Sequence, residues 1–378
     1  MAKRVIYTDR VMRPIAHFSH AVRIGNTIHL GATAGTDAAL RLAGDTPGRV
    51  DVAAQARRMF ENAGYVLGLL GAGFEHVVRV KTYIADLRDR PVYDALFAAS
   101  LGAVGPDHTI VGSAGFPLPQ AAIELDLVAA VDTPIRRHGD AVAAGNRIYG
   151  SAGPGAPGAP VALGFDRQCD AAFRRLADRL GAVGARLDDI VHLRATVADS
   201  RDIPAWLAAL AAKFPSRPPA ATVTAAATAE PAWRLHLEAV AAPGGGLPIA
   251  PASGAPTHGP GSPAVQVDGD LFVGAQLGCA ADGDSGDGVE AQTRRAWARV
   301  QDILHGAGLP AEAVLRTDNV LVDWRDYAGF NAGYGANATE PYPPRTTVLG
   351  GLRHAAARVQ IEATAHRDGA RATIVQVR

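Results

Sequence analysis

The chain is poor in lysine and has no excess of either charge. Its 378 residues include only three lysines, Lys3, Lys81 and Lys213, and 37 basic residues balance 37 acidic ones. A general nucleic-acid-binding protein needs a basic surface that displaces counterions from the phosphate backbone. The even balance of charge therefore argues against nucleic acid as a partner.

Cysteine is equally scarce. Cys169 and Cys279 are the only two, and neither belongs to a CxxC motif or a Cys/His cluster. This pattern favours neither a zinc site nor a disulfide framework, so we expect no metal and reduced thiols.

Long apolar runs are missing as well. The first residues, MAKRVIYTDRVMRP, lack the apolar core of a secretory signal peptide. No window approaches the roughly 18 uninterrupted apolar residues of a membrane span. The sequence predicts a cytoplasmic protein with no membrane partner.

What the chain does contain is one helical pattern repeated three times. Apolar residues recur at three- and four-residue intervals, as on one face of a helix. A glutamine holds the same place in each copy: Gln55, Gln168 and Gln292. The copies read VAAQARRMFENAGYVLGLLGAGF, FDRQCDAAFRRLADRLGAVGARL and VEAQTRRAWARVQDILHGAGLPA. Such repetition predicts three copies of one structural unit.

The strands around these helices repeat too. Each copy opens with a glycine-turn hairpin, and after its helix comes a β-prone run that ends in Asp. Each closes with an alternating strand: AIELDLVAAV, RLHLEAVAA and RVQIEATAH. The predicted unit is ββαβαββ, an α+β fold. We place the units at residues 1–132, 133–242 and 243–378, with a Gly/Pro-rich linker at 243–263.

Three such units in one chain can cover their apolar sheet faces by packing around a pseudo-threefold axis. We therefore expect an intramolecular pseudo-trimer with its helices outside the sheets. Because the trimer is already covalent, the chain is predicted to be a monomer, with a dimer through the outer helices as the alternative.

A proline-led strand precedes the closing strand of each copy, and only one of the three carries an arginine. The strands are GPDHTIVGSAG, RPPAATVTAAA and PYPPRTTVLGG, with His108, Ala221 and Arg345 in the corresponding place. A guanidinium offers a planar fork of donors that matches a carboxylate. Arg345 is thus the first candidate for ligand binding, and a structural salt bridge is the alternative. Strand alternation puts Thr347 on the same side as Arg345.

These motifs resemble the Rid family, the YjgF-like enamine/imine deaminases. The family pattern contains P-Y-S, S-G-Q, A-x-Q, P-x-R-(S/T)-x-V and E-I-E-A. The third copy matches it with GPGSPAVQV, GAQ, VEAQ, PPRTTV and QIEA, and the first copy with AHFSHAVRIGN. The resemblance implies Rid/chorismate-mutase-like units with ligand clefts between neighbours and no cofactor. It also implies an arginine that binds the substrate carboxylate, with a Glu, an Asn and a residue of P-Y-S beside it.

The implied site residues are distributed unevenly among the copies. The first Glu of E-I-E corresponds to Glu124, His236 and Gln360, and the Asn to Asp94, Leu207 and Asn331. The best-retained site is therefore expected in the third copy, and its residues are Arg345, Asn331, Thr347 and Gln360.

Gln360 is the departure that matters, because glutamine cannot act as a general base. A histidine near the P-Y-S segment is expected to supply the acid–base function instead. The candidates are His17, His20 and His138, with a plain loop histidine as the alternative for each.

A second candidate cleft combines His108, Glu124 and Asp94 of the first copy. A histidine beside a retained glutamate forms a pair that can shuttle protons. The alternative is an inactive cleft that is filled by a salt bridge.

The resemblance implies an enzyme that acts on a small carboxylate-bearing imine, enamine or enol ether, as a deaminase or hydrolase and in a tailoring step of specialised metabolism. The alternatives are a chorismatase-like hydrolase, an enzyme that forms C–N bonds or cyclises its substrate, and a non-catalytic protein that binds a metabolite carboxylate. Ribonuclease activity is disfavoured because the sequence lacks an aromatic-rich basic strip.

Overall fold

The computed structural model describes residues 2–46, 48–256, 259–280 and 287–377. Three α+β units follow one another along the chain. The first unit contains β1 (Lys3–Thr8), β2 (Ala21–Ile24), β3 (Thr27–Ala34), α1 (Val52–Leu69), β4 (Val77–Ile84), α2 (Arg90–Phe97), β5 (Asp107–Gly112) and β6 (Ile123–Ala130).

The other two units repeat this order. The second contains β7 (Ile135–His138), β8 (Ala141–Ala144), β9 (Arg147–Ala152), α3 (Phe165–Ala182), β10 (Ile190–Val197), α4 (Ile203–Lys213), β11 (Ala220–Ala225) and β12 (Leu235–Ala241). The third contains β13 (Leu247–Ile249), β14 (Ala264–Val267), β15 (Asp270–Leu277), α5 (Val289–Gly306), β16 (Val314–Leu321), α6 (Tyr327–Gly335), β17 (Arg345–Leu349), β18 (Val359–His366) and the terminal β19 (Ala372–Val377).

The first and second units each have one strand more than the predicted ββαβαββ, and the third has two, counting the terminal β19. The extra strand comes first and pairs with the hairpin that follows it, as β13 does with β14. The stretch 243–263, predicted to be a linker, therefore contains a paired strand. β19 pairs in parallel with β1 and ties the end of the chain to the first sheet.

The three sheets share one strand order. The first sheet runs β1-β2-β3-β6-β4-β5, with β19 added beside β1. Read in the same direction, the others run β7-β8-β9-β12-β10-β11 and β13-β14-β15-β18-β16-β17. In each, the proline-led strand is an edge strand and pairs in parallel with its neighbour, β4, β10 or β16, which precedes it in the chain. These edge strands carry the candidate site positions.

Helices cover the outer face of each sheet. In α5 the predicted apolar face, Ala296, Val300, Ile303 and Leu304, is fully buried against the third sheet. Burying that face stabilises the helix more than its intrinsic propensity does.

The repeated glutamine has a structural role in each unit. Gln55 on α1 donates to the carbonyl of Gln120 and accepts from the backbone N–H of Ala122, at 3.0 and 2.8 Å. Gln168 accepts in the same way from the backbone of Arg234, and Gln292 from that of Arg358. The glutamine thus fixes the loop before each closing strand to the long helix.

The inner faces of the three sheets pack on one another, as expected for an intramolecular pseudo-trimer. An apolar cluster joins all three units and includes Val128, Tyr149 and Phe272. Beside it lies a buried ion network. Arg79 bonds Asp126 and Glu238, each at 3.0 Å, and Arg316 bonds Asp126 at 2.8 Å.

The network also links the second unit to the third. Arg194 donates to Glu362 through Nε at 2.7 Å, and Glu362 is only 2% exposed. The second acid of each E-I-E motif therefore points to the shared interior rather than to a ligand cleft.

Candidate functional site between the third and first units

Glycines allow the edge strands to approach the neighbouring sheets closely. A Cβ on Gly31 of β3 would lie 2.9 Å from the backbone nitrogen of Arg345, and one on Gly274 of β15 equally close to that of Ala221. Both distances are shorter than any normal carbon contact. These two glycines thus allow the edge strands β17 and β11 to approach the neighbouring sheet closely.

Arg345 faces a cavity of about 420 Å³ between the third and first units. Its side chain is 5% exposed. Nη2 donates to Oδ1 of Asn331 at 2.6 Å and to the hydroxyl of Tyr327 at 3.3 Å. Both partners lie on α6, four residues apart and so on one face of the helix.

Three aromatic rings surround the guanidinium. Its central carbon lies 5.6 Å from the ring of Phe18, 5.2 Å from that of Phe330 and 4.7 Å from that of Tyr334. Nη1 is buried and has no hydrogen-bond partner in the described ranges, and among those residues no carboxylate pairs with this arginine. The rings hold the cation in place, and Nη1 keeps a donor that no described residue uses.

The opposite wall supplies a carboxyl group. Glu124 of β6 lines the same cavity as Arg345 and is 7% exposed. Burial, with a smaller contribution from the charge of Asp126, raises the pKa of Glu124 to about 8. The side chain is therefore protonated at neutral pH and can donate a proton.

Threonines next to Arg345 point to opposite sides, as strand alternation predicts. Thr347 lines the cavity with Arg345. Thr346 faces the interior, where its hydroxyl bonds Asp126 at 3.2 Å. The rest of the cavity wall is apolar and comes mainly from the first unit: Met12, Ile15, Phe18, Ala32, Pro117 and Leu118.

Gln360 lies elsewhere, which corrects its expected grouping with Arg345. It faces the second unit, and its amide approaches the hydroxyl of Thr224 at 3.4 Å. Each cleft combines the edge strand of one unit with the closing strand of the next, so the arginine and the glutamine of one unit serve different clefts. The glutamate that accompanies Arg345 is the one in the first unit.

Two of the candidate histidines lie in the loop between β1 and β2. His17 packs edge-on against Tyr342, with ring centroids 5.2 Å apart, and His20 bonds the carbonyl of Met12 at 2.8 Å. Burial lowers the pKa of both, and Arg345 lowers that of His17 further. Neither histidine lines the cavity; His17 packs where this loop meets the third unit.

His138 is remote from Arg345 and does not join the expected site. It is exposed at the end of β7, and β8 begins three residues later. The second unit therefore makes a tight turn where the first unit has the long loop that carries His17 and Phe18.

The second candidate group is also divided. Strand β4 separates His108 on β5 from Glu124 on β6. His108 stacks on Phe97 at 3.9 Å and bonds the hydroxyl of Tyr93 at 2.9 Å. Burial lowers the pKa of His108 to about 3, so the ring is neutral and poorly suited to proton transfer near pH 7.

Asp94, the third member of that group, is bonded to Arg90 at 3.1 Å. Arg90 also pairs with Glu230 of the second unit at 2.5 Å. This ion-pair network, together with the stacked ring of His108, occupies the region between the first and second units, in line with the alternative of a closed cleft.

Sequence reasoning missed the aromatic surroundings of Arg345 and the partner across the cleft. Tyr327 could have been found, since it precedes Asn331 by one helical turn. The sequence held a weaker indication that Arg345 and Glu124 share a cavity: the arginine and the glutamate of the family pattern are kept in different copies.

None of the helices in the described ranges is both long and apolar enough to cross a membrane.

A family model described as Endoribonuclease L-PSP matches the chain three times, at residues 8–131, 132–243 and 253–367. Among curated proteins, a RutC family protein of Pyrococcus abyssi is 29% identical over 132 residues, which cover 34% of this chain and 98% of that protein. A 2-iminobutanoate/2-iminopropanoate deaminase of Dermatophagoides farinae is 26% identical over 130 residues, covering 34% and 98%.

A solved chorismatase structure resembles a larger part of the chain. It covers 77% of this chain and 93% of its own, with a TM-score of 0.55 and 14% sequence identity. At this identity the likeness concerns the fold alone, and it extends over more than one unit.

Proposed function

Because the chain belongs to the Endoribonuclease L-PSP family, the Rid or YjgF-like proteins, we propose that it hydrolyses small 2-imino acids in the cleft between its third and first units. The observation that carries this proposal is the placement of Arg345 and the buried Glu124 on the walls of one cavity. The family match supports a protein that processes or binds a small molecule. The finer assignment is supported by the deaminase named above, which matches one unit of the chain.

Arg345 would hold the carboxylate of the substrate. Nη2 is already bound to Asn331, which orients the guanidinium, and Nη1 is buried with no partner in the described residues. A carboxylate at this edge satisfies the open donor and neutralises a buried cation. Arg345 is the only cation among the residues that line the cavity. A single cation suits a small monoanion better than a polyphosphate strand.

Glu124 would transfer the protons of the reaction. In its protonated form it donates to the imine nitrogen, and water then attacks C2 of the iminium while the Glu124 carboxylate takes a proton from that water. The product is a carbinolamine with an uncharged amino group, its carboxylate still on Arg345, and Glu124 is again protonated.

The carbinolamine then collapses at the same group. Glu124 donates its proton to the amine nitrogen, the C–N bond breaks, and ammonia leaves as the hydroxyl oxygen forms the carbonyl. The hydroxyl proton returns to Glu124. The imino acid and water thus become a 2-oxo acid and ammonia, with the enzyme unchanged.

The apolar wall limits the side chain of the substrate. Met12, Ile15 and Leu118 line the cavity and offer apolar contacts to a short aliphatic chain. We therefore propose 2-imino acids with small aliphatic side chains as the substrate class.

The test uses 2-iminobutanoate produced in situ by an amino-acid oxidase. The wild-type chain is expected to release ammonia faster than spontaneous hydrolysis does. Glu124→Gln, which keeps shape and hydrogen bonding, is expected to lose at least about 100-fold of that acceleration.

The matched control is Gln360→Glu, which places a carboxyl group at the equivalent position of another cleft. Its rate should equal that of the wild type. A wild-type chain that gives no acceleration contradicts the proposal, and so does a Glu124→Gln variant that retains full activity.

A further inference from the structure

A second cleft lies between the second and third units, with a cavity of about 470 Å³. Helix α4 supplies one wall through Trp206, Leu207 and Leu210. The opposite wall carries Gln360 and Arg353. The proposed hydrolysis uses none of these residues.

The side chains that fill the first cleft are replaced here by small ones. Ala221 stands where Arg345 stands in the first cleft, and a Cβ on Gly261 would lie 2.6 Å from its side chain. Gly261 corresponds to Phe18, the ring that packs on Arg345. The edge strand of this cleft therefore provides neither a cation nor an aromatic cover.

The opposite wall provides a cation, Arg353. Arg353 belongs to the loop between β17 and β18, and its guanidinium packs on Gly259, where a Cβ would lie 2.4 Å from Nη1. Gly259 has a φ of +120°, so a larger residue is disfavoured there both by its backbone and by the arginine. The loop 259–263 thus fits around the guanidinium.

Arg353 has no ion pair or hydrogen bond within the described part of the chain. Other arginines buried between the units, such as Arg194 and Arg316, are paired with carboxylates. Burial lowers the pKa of Arg353 to about 10, so it stays charged at neutral pH. A partly buried cation with no counter-ion among the described residues attracts anions, and an anion in the cavity would pair with it.

Arg353 occupies a position equivalent to a residue that lines the first cleft. It precedes Gln360 by as many residues as Pro117 precedes Glu124, and Pro117 lines the first cleft. The loop that carries Arg353 is fixed by Gln292, which binds the backbone of Ala356 and Arg358. Arg353 therefore stands at the position that Pro117 occupies in the first cleft, on a loop that Gln292 holds in place.

We propose that the cleft between the second and third units binds a small carboxylate with an apolar side chain, with Arg353 as its counter-ion. The apolar portion lies against Trp206, Leu207 and Leu210. Gln360 and Gln276 line the cavity with neutral amides, and neither can accept or release a proton at neutral pH. The cleft therefore retains the anion without converting it.

Calorimetric titration with 4-methyl-2-oxopentanoate tests this proposal. The wild-type chain is expected to bind two molecules, one in each cleft. Arg353→Gln is expected to weaken the second binding event at least about tenfold and to keep the first. Arg345→Gln should show the reverse, and the double variant should bind neither. The neutral ketone 4-methyl-2-pentanone should not compete for the second cleft.

A second variant keeps the test valid if Arg353→Gln disturbs the loop. Ala221→Leu fills the cavity from the opposite wall and leaves Arg353 in place; it should abolish the second binding event alone. A wild type in which no binding event depends on Arg353 overturns the proposal, as does a second event that survives both substitutions. A single event that Arg353→Gln weakens and Arg345→Gln keeps supports this proposal and counts against the first cleft instead. The readout is binding, so failure here is distinct from failure of the proposed hydrolysis.

Discussion

Arg345 of the third unit and Glu124 of the first unit line one cavity, although 220 residues separate them in the chain. Nη1 of Arg345 is a buried donor with no partner among the described residues, and burial raises the pKa of Glu124 to about 8. Neither unit by itself contains both groups. The cleft is therefore a product of the assembly of the units.

Replacing Arg345 with Ala should weaken binding of a carboxylate substrate by about 2–4 kcal/mol, since a charged hydrogen-bonding partner is lost. Arg345→Lys should recover only part, because an ammonium lacks the planar fork. Steady-state kinetics with 2-iminobutanoate measure both. Arg294→Ala serves as the control, since Arg294 is half exposed and pairs only with Glu290 among described residues. Equal values of kcat/KM for Arg345→Ala and the wild type would refute the role of the arginine.

The pKa of Glu124 makes stability depend on pH. Because the folded state raises this pKa from 4.5 to about 8, it binds the proton more tightly than the unfolded state does. The free energy of unfolding should therefore fall as pH rises from about 4.5 to about 8, with at most about 5 kcal/mol from this group. Glu124→Gln should be more stable relative to the wild type at pH 8.5 than at pH 5.

Urea unfolding at the two pH values measures this difference. Glu61→Gln is the control, because Glu61 lies on the surface with its side chain 64% exposed. A stability difference for Glu124→Gln that does not change with pH would show that Glu124 titrates normally.

Glu362 should be important for stability but not for chemistry. It is buried, and Arg194 and His192 both lie against its carboxylate. Glu362→Ala should destabilise the chain by about 3–5 kcal/mol, because it leaves Arg194 buried with less compensation. Glu290→Ala, on the surface of α5, should cost less than about 0.5 kcal/mol. Urea unfolding compares the two, and equal costs would contradict a structural role for the ion network.

The chain is expected to be a monomer of 39.1 kDa in solution. The sheet faces that a single unit would leave exposed are already packed against the other two units. Multi-angle light scattering measures the mass. A trimer of chains would contradict this expectation, whereas a dimer would leave the intramolecular pseudo-trimer intact.

Much of the fold could be read from the sequence because its signals are local. The apolar face of α5, the alternating closing strands and the glycine-turn hairpins each arise within a few residues, and their repetition revealed three units. The same local signals explain why two neighbours of Arg345 were predicted correctly. Asn331 and Thr347 belong to the same unit, and the geometry of one helix and one strand brings them to it.

The partner of Arg345 depended on the tertiary structure. Three units around an axis can meet in two cyclic orders, and the order decides whether the arginine faces the closing strand of the first or of the second unit. That choice comes from the packing of whole sheet faces, which no local pattern encodes. It separated Arg345 from Gln360 and placed it in one cavity with Glu124. It also left Arg353 without an ion pair among the described residues, in a cleft where the sequence had shown only Ala221.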